Sequence, residues 1–431
     1  MDMSLKKSDR KLDGILNNRN FMFLFSGKLI SLLGDQIYIF ALSWYILSIT
    51  HSSLKMSALI IAGILPYVIV GPFAGIIADK AERKGIIVAL DLVRGVLVVL
   101  MAILLIKNML TMPLLYLGTV ILGLCGSVFS PAASAIIPNI VEKEKLTQAT
   151  SIDSLISGVC NIAGMLTGGI LFNLIGITSI FIINAASYIL SAILECNIRI
   201  PKSLAAAEGS INKQENQMRS VLSELGAGYS YLKRNKGLFI LFIFFGAINF
   251  IIYPIGMIFI PYIFNVILKS TAIQLSIAQG TIWIGFIAGS FIVPNLSFKG
   301  KLRNILIRSI STAGIVILLL SIPLFPILIG HIPVWAVVVF YSILSVVLGL
   351  SITFINIPVN VTFQKAIPDD IRGRVMALLS SVTSATVPIG YVFGGVLAQA
   401  VPMYVLFIVM SFIMMMIVFQ IKVSKPLRAL N

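Results

Sequence analysis

Long apolar stretches recur along the chain, and short polar turns separate them. Each stretch is close to the length of about 20 mostly apolar residues that a helix needs to cross a bilayer. The pattern predicts twelve transmembrane helices, at residues 21–46, 55–78, 85–106, 114–137, 151–174, 178–196, 238–264, 272–294, 302–325, 333–356, 374–400 and 403–421. We therefore predict an all-α polytopic membrane protein with twelve transmembrane helices in two six-helix bundles.

One long polar interruption divides six of these spans from the other six. The predicted domains are an N-terminal six-helix bundle at residues 1–198, a cytoplasmic linker at 199–237 and a C-terminal six-helix bundle at 238–431. In the second part of the linker, apolar residues recur at helical spacing, at Met218, Val221, Leu222, Leu225 and Tyr229. This spacing predicts an amphipathic helix over residues 218–232 that lies on the inner membrane surface.

The composition excludes a soluble protein. Of the 431 residues, 58% are hydrophobic and 11% are charged, whereas soluble domains have about 25% charged residues. The mean hydropathy is +1.03. A soluble fold could not remove that much apolar surface from water.

The net charge of +16 reflects membrane topology and not nucleic-acid binding. Basic residues cluster in alternate loops, and the loops on the opposite side carry only Lys55, Lys107 and Lys269. Basic loops stay on the cytoplasmic side of a membrane. We therefore expect both termini to be cytoplasmic and no nucleic-acid partner.

No catalytic motif accompanies the spans. The pairs Gly27-Lys28 and Gly300-Lys301 lack the remaining residues of a Walker A sequence, and no HExxH sequence is present. The three cysteines, Cys125, Cys160 and Cys196, do not have metal-ligand spacing. We therefore predict that the chain is not an enzyme and has neither a cofactor nor a metal.

An acidic residue lies deep in the first predicted span. Asp35 is about 21 Å from the start of that span at 1.5 Å per residue. No basic residue lies within a helical turn of it along the chain. Burial disfavours the charged form of a carboxyl group, so such a group binds a proton readily. We predict Asp35 as the proton-coupling residue; a hydrogen bond to a neighbouring helix is the structural alternative.

A charged turn joins the second and third predicted spans. Gly71 and Gly75 have the GxxxG spacing that lets membrane helices approach closely. Charged residues follow in the turn, and Asp91 and Arg94 lie one helical turn apart in the next span. We predict a cytoplasmic gate formed by Gly75, Asp79, Arg83, Lys84, Asp91 and Arg94. Two further acids, Asp153 and Glu195, are near span ends, where we expect them to reach water or cap helices.

The two halves of the chain share glycine landmarks. Gly71 and Gly75 match Gly285 and Gly289 at an offset of 214 positions, and the group of Gly164, Gly168 and Gly169 matches Gly390, Gly394 and Gly395 at an offset of 226. Parallel internal repeats have this property. At the first offset Asn249 matches Asp35, and we predict a substrate cavity lined by Asp35, Tyr38, Asn249 and Tyr253.

The turn of Gly75, Asp79, Arg83 and Lys84 resembles the signature of the major facilitator superfamily. Three further segments, residues 129–138, 231–239 and 364–375, resemble its macrolide-efflux-type (drug:proton antiporter) branch, whose members export macrolides, other lipophilic antibiotics and in some cases siderophores or lipids. The resemblance implies a bacterial plasma-membrane exporter in which two bundles rock about a central cavity. It also implies a lipophilic substrate, coupling to the proton gradient, contact with membrane lipids and a monomeric state.

Two other functions remain open. A siderophore or a lysophospholipid is an alternative cargo, although an anion would need basic cavity residues. Among the basic residues, only Lys28, Arg94 and Arg308 lie appreciably inside predicted spans. A non-transporting sensor or scaffold is the alternative of another class, and it would not need its intramembrane acids.

Overall fold

The computed structural model describes residues 15, 17–80, 82–199, 226–295 and 302–428. In these ranges the backbone is almost entirely helical and contains no β-strand. The N-terminal half contains α1 (Arg19–Thr50), α2 (Ser53–Lys80), α3 (Arg83–Ile106) and α4 (Met112–Ile140), followed by one helical segment, Leu146–Cys196.

Gly176 divides that last segment into two helices. Its φ of 72° and ψ of 175° are not helical, and residues with a Cβ rarely adopt this conformation. The segment is therefore two helices, α5 (146–175) and α6 (177–196), as the sequence predicts. The φ of Gly176 explains why α5 stops without a polar loop.

The C-terminal half contains six more long helices. These are α7 (Lys236–Pro254), α8 (Ala272–Ile292), α9 (Leu302–Leu320), α10 (Val334–Ala366), α11 (Asp369–Ala400) and α12 (Met403–Val423). Two π-helical turns, Ile255–Phe259 and Ile263–Ile267, lengthen α7. The first of these exposes the carbonyl of Gly256, to which the Gln279 side chain of α8 donates at 2.5 Å.

Among the described residues, eleven continuous helical segments are long and apolar enough to cross a membrane. One of them is the segment that Gly176 divides. The described residues therefore contain twelve spanning helices, and the predicted fold class is confirmed.

The chain forms two compact units. One consists of Met1–Tyr45 and Leu59–Ile211, and the other of Ile46–Ala58 and Asn212–Asn431. The short segment Ile46–Ala58 belongs to the second unit, in which Ser53 Oγ donates to the carbonyl of Gly395 at 2.9 Å. The predicted three-part division at 198 and 237 stays a prediction.

The predicted amphipathic helix is described only in part. Residues 226–234 are helical, and the preceding part of the predicted range 218–232 lies outside the described residues. The helical part packs against the ends of α10 and α11. A Cβ added to Gly228 would lie 2.9 Å from the carbonyl oxygen of Arg374, and the Tyr231 hydroxyl donates to the Ala366 carbonyl at 3.4 Å.

The second glycine match corresponds to a repeated packing contact. In the first unit, Gly168 of α5 packs against Phe40 of α1, with 3.1 Å between an added Cβ and the Phe40 Cβ. In the second unit, Gly394 of α11 packs against Pro254 of α7, with 2.8 Å between the corresponding atoms. Pro254 lies 214 positions after Phe40, which is the offset that relates Asn249 to Asp35.

In the first glycine match, Gly71 and Gly285 do not make equivalent packing contacts. An added Cβ at Gly285 would overlap the Val346 carbonyl of α10, whereas the Cβ position at Gly71 has no heavy atom within 4 Å. In the first unit, Gly123 of α4 instead meets the carbonyl of Gly63 of α2. The close approach of α2 and α4 therefore lies two helical turns before Gly71.

Candidate functional site

Four charged groups converge inside the first unit. They are Asp35 of α1, Asp91 and Arg94 of α3, and Glu195 of α6, and we call them the charged cluster. Asp91 and Glu195 have an exposed fraction of 0%, Arg94 has 4%, and Asp35 is partly buried. Charged side chains this deep in a membrane protein are costly, and they mark functional sites.

Asp35 is held by α6. The Tyr188 hydroxyl donates a hydrogen bond to Oδ1 of Asp35. The helices come together at Gly34, where an added Cβ would lie 2.7 Å from Oδ1 of Asn184 and would overlap Oγ of Ser187. The sequence suggests an isolated carboxyl group at Asp35, but in the structure this group has a hydrogen-bond partner. The helix–helix hydrogen bond that was the alternative to coupling is present, and it is compatible with proton binding.

Arg94 is the cation of the cluster. Its Nη1 donates to Oδ1 of Asp91 at 3.2 Å, and it also interacts electrostatically with Asp35. The Arg94 Cζ lies 4.6 Å from the centroid of the Phe129 ring and 5.4 Å from that of Tyr188. Both distances allow cation–π attraction. Two aromatic rings and a carboxylate therefore fix the guanidinium.

A glycine of α4 makes room for this arrangement. A Cβ added to Gly126 would lie 3.2 Å from Nη2 of Arg94 and would overlap the Tyr67 hydroxyl of α2. The absence of a side chain at residue 126 thus lets α2, α3 and α4 meet at the guanidinium.

Glu195 contradicts the expectation that it reaches water or caps a helix. It is fully buried, and Ser191 Oγ lies 3.4 Å from its Oε1 in a long hydrogen bond. Helical side chains lean toward the N-terminus of their helix. Because Glu195 is in the last turn of α6, its side chain leans back into the bundle, away from the helix end.

A polar stripe on α6 is the signal that sequence reasoning missed. Asn184, Tyr188, Ser191 and Glu195 recur at intervals of three or four residues, which places them on one face of a helix. All four are buried in the structure. A polar stripe on an otherwise apolar span indicates a face that contacts other helices.

Asp153 is partly exposed, as expected, and it also forms an ion pair. Lys28 Nζ of α1 lies 2.5 Å from Oδ1 of Asp153 of α5, and their side chains are 11% and 26% exposed. The pair forms because both residues face the α1–α5 contact. Lys28 is therefore engaged outside the charged cluster.

The charged cluster has an excess of acid. It contains three carboxyl groups and one guanidinium, and Lys28 is paired with Asp153. Unpaired charges are costly in a low-dielectric interior. Proton binding by one or more of the carboxyl groups would reduce this excess, so the arrangement is suited to proton uptake and release.

The predicted gate residues do not all lie in this cluster. Asp91 and Arg94 do, whereas Arg83 Nη1 donates to the Ala135 carbonyl of α4 at 3.0 Å. Lys84 follows Arg83 in the first turn of α3 and is partly exposed. The surroundings of Gly75 and of the Asp79 side chain are outside the described part of the structure, and the gating role of both residues stays a prediction.

The predicted cavity residues belong to different units. Tyr38 is 3% exposed and lies edge-on to Phe181 of α6 at 4.9 Å. In the second unit, Asn249 Nδ2 donates to the Phe245 carbonyl at 2.7 Å, and Tyr253 is 40% exposed. A common cavity of Asp35, Tyr38, Asn249 and Tyr253 stays a prediction.

The chain is similar to bacterial transport proteins along most of its length. It is 25% identical to macrolide efflux protein A of Streptococcus pyogenes over 386 residues, which are 88% of this chain and 90% of that one. It is 26% identical to macrolide efflux protein A of Enterococcus faecalis over 78% of this chain and 98% of the other. A staphyloferrin A transporter of Staphylococcus aureus is 24% identical over 40% of this chain and 44% of its own.

The fold is also that of known transporters. The crystal structure of the nucleoside transporter NupG superposes with a TM-score of 0.70 at 16% identity, over 94% of this chain and 98% of that one. The family model of the Major Facilitator Superfamily matches residues 24–383. This family and fold are those of membrane transporters and not of enzymes. The twelve helices, the repeated contacts and the match over most of the chain agree, and the chain belongs to the Major Facilitator Superfamily.

Proposed function

We propose that this protein is a proton-coupled secondary active exporter of lipophilic drugs such as macrolide-type antibiotics. It would work by alternating access, in which the two bundles rock about a central site. The observation that supports proton coupling is the charged cluster, in which three carboxyl groups share one guanidinium inside the first unit.

Asp35 is the proposed coupling residue of this cluster. It lies near the middle of α1, whereas Asp91 and Glu195 are nearer the helix ends that join the basic loops. The Tyr188 hydroxyl can stabilise its charged form by donating, and it can accept a hydrogen bond from the protonated form. Asp35 can therefore change its protonation state without losing its partner.

The similarity to macrolide efflux proteins supports a lipophilic drug as the substrate. The staphyloferrin A transporter supports the alternative of a siderophore, and a lysophospholipid is a further one. Both alternatives contain acidic groups and would need free cations. In the first unit Arg94 is paired with Asp91, and Lys28 with Asp153. The charges therefore favour a neutral or cationic drug.

A non-transporting sensor or scaffold is the alternative of another class. Such a protein would not need a buried excess of carboxyl groups, and neutral replacements would leave its activity intact. The family match and the charged cluster both favour transport.

The proposed setting is a bacterial plasma membrane, with both termini in the cytoplasm and the protein monomeric. The energy source would be the proton gradient, with no cofactor. A cysteine introduced at Lys213, in the linker, should not react with a membrane-impermeant reagent in intact cells. Reaction in intact cells would contradict this orientation.

Drug uptake into everted membrane vesicles tests the proposed coupling. An imposed proton gradient should drive accumulation of a macrolide by the wild type. Asp35→Asn should abolish accumulation but retain drug binding, because asparagine keeps the size of the side chain and cannot titrate. Drug-induced proton release in weakly buffered detergent should vanish in the same variant.

Asp370→Asn is the matched control, since Asp370 is exposed in the first turn of α11. Accumulation by Asp35→Asn against a gradient would show that another residue carries the proton. Thermal-shift measurements with macrolides, tetracyclines, siderophores and lysolipids would distinguish the substrate classes.

A further inference from the structure

Two carboxylate oxygens at the contact between α3 and α6 lack partners. Oδ2 of Asp91 and Oε2 of Glu195 are buried, and neither has a hydrogen-bond partner within the described part of the chain. Ser191 lies against both carboxyl groups, at 3.4 Å from Oε1 of Glu195 and in contact with Asp91. A hydroxyl carries one hydrogen and cannot donate to both carboxylates at once. One more hydrogen is needed to satisfy these acceptors.

We propose that Asp91 and Glu195 hold one proton between them, with Ser191 as the bridge. One of the two groups is then a carboxylic acid that donates a hydrogen bond, and the other remains a carboxylate. This forms a proton-binding site separate from Asp35. The inference deepens the proposed proton coupling and rests on it for any role in transport, but the bound proton does not require a drug.

The surrounding charges support one shared proton. The titratable groups that face the pair come from α1, α3, α4 and α6, and they are Asp35, Arg94, Cys125 and Tyr188. Lys28 is engaged by Asp153. Arg94 is thus the cation that the three carboxyl groups share.

The charge balance shows how many protons the cluster can use. With every group ionised, three carboxylates and one guanidinium leave two negative charges inside the bundle. A proton shared by Asp91 and Glu195 leaves one, and a second proton on Asp35 makes the cluster neutral. Two separate proton sites therefore match the excess of acid.

The α1 backbone covers the pair. A Cβ added to Gly27 would lie 3.1 Å from Ser191 Oγ and 3.4 Å from Glu195 Cγ. An added methyl group would be in tight contact with both side chains, and the gap is too narrow for a water molecule. Exclusion of water raises the cost of a second negative charge, which favours the shared proton.

Infrared spectroscopy of the purified protein tests this proposal at neutral pH. A protonated carboxylic acid has a C=O stretching band that a carboxylate lacks, and the band shifts in D₂O. We expect one such band of the wild type to be lost in Glu195→Gln and also in Asp91→Asn. Asp370→Asn is the control and should keep it. Spectra of Glu195→Gln and Asp91→Asn that both retain the full intensity would overturn the proposal.

Ser191→Ala provides a second variant in case the carboxyl replacements do not fold. It keeps both acids and removes the bridge, so the band should persist at a shifted frequency. A band identical to that of the wild type would contradict the role of Ser191. Asp35→Asn should keep this band while it loses efflux. If the wild type shows the carboxylic-acid band but no proton-driven efflux, the proposed function alone is refuted. If it shows efflux but no such band, this inference alone is refuted.

Discussion

The Tyr188 hydroxyl of α6 donates a hydrogen bond to Oδ1 of Asp35 in α1. This contact joins the proposed coupling residue to the helix that also carries Ser191 and Glu195. It lies in the charged cluster, which contains three carboxyl groups and one guanidinium, so each donor to a carboxylate affects how protons are distributed. The first prediction concerns a variant that lacks this donor.

We expect Tyr188→Phe to lower concentrative efflux roughly tenfold or more, since a hydrogen bond to a charged group contributes about 1.5–3 kcal/mol. Drug binding should change little, because the ring and its contact with Arg94 remain. Drug accumulation in everted vesicles measures the effect. Tyr404→Phe is a matched control in α12, where the ring packs against Phe325 with 5.0 Å between the ring centroids. Unchanged efflux in Tyr188→Phe would show that the hydroxyl does not assist coupling.

The second prediction concerns the space around Arg94. Gly126→Ala should destabilise the protein by about 1–3 kcal/mol, the usual cost of overpacking. The added methyl group would overlap the Tyr67 hydroxyl and press on Arg94. Thermal unfolding in detergent measures this loss.

Gly158→Ala is the control for that variant. Gly158 is in α5, and no heavy atom lies within 4 Å of its Cβ position. Alanine there should be neutral or stabilising by up to about 1 kcal/mol, because glycine is a poor helix former. Equal melting temperatures of the two variants would mean that the space at residue 126 is not restricted.

Helix number and the internal repeat could be predicted from the sequence because both depend on local patterns. Apolar length gives the spans, and small residues at helical spacing give the contacts of Gly168 with Phe40 and of Gly394 with Pro254. The position of the charged cluster could not be predicted in the same way. It depends on which faces of α1, α3 and α6 meet, and this is a property of tertiary packing.

Glu195 shows the limit of reasoning from position along a span. Its place near the end of α6 indicates access to water, yet its side chain points back into the bundle toward Ser191. The direction of Cβ and the polar stripe on α6 together would have predicted its burial.

The third prediction compares the glycines of the first sequence match. Gly285→Ala should destabilise the fold, because the methyl group would overlap the Val346 carbonyl of α10. Gly71→Ala should leave the melting temperature unchanged, since its Cβ position is open. Thermal unfolding of both variants tests the difference. Normal stability of Gly71→Ala together with lost efflux would mean that α2 is closely packed at Gly71 in another conformation of the transport cycle.

The last prediction tests whether Lys28 and Asp153 form a closed pair that leaves the charged cluster with one cation. Removing one partner of a buried ion pair leaves the other charge uncompensated and costs about 3–5 kcal/mol. These side chains are 11% and 26% exposed, so partial contact with water should lower the cost of each single replacement. Lys28→Met and Asp153→Asn should therefore each destabilise the protein. The double variant should lose less stability than the sum of the two single losses.

A double-mutant cycle in thermal or denaturant unfolding measures that coupling. Coupling energies between contacting residues are about 0.5–3 kcal/mol, and we expect a stabilising value in that range for this pair. Strict additivity would show that Lys28 and Asp153 act separately. That result would contradict the assignment of Lys28 to Asp153 in the charge balance of the cluster.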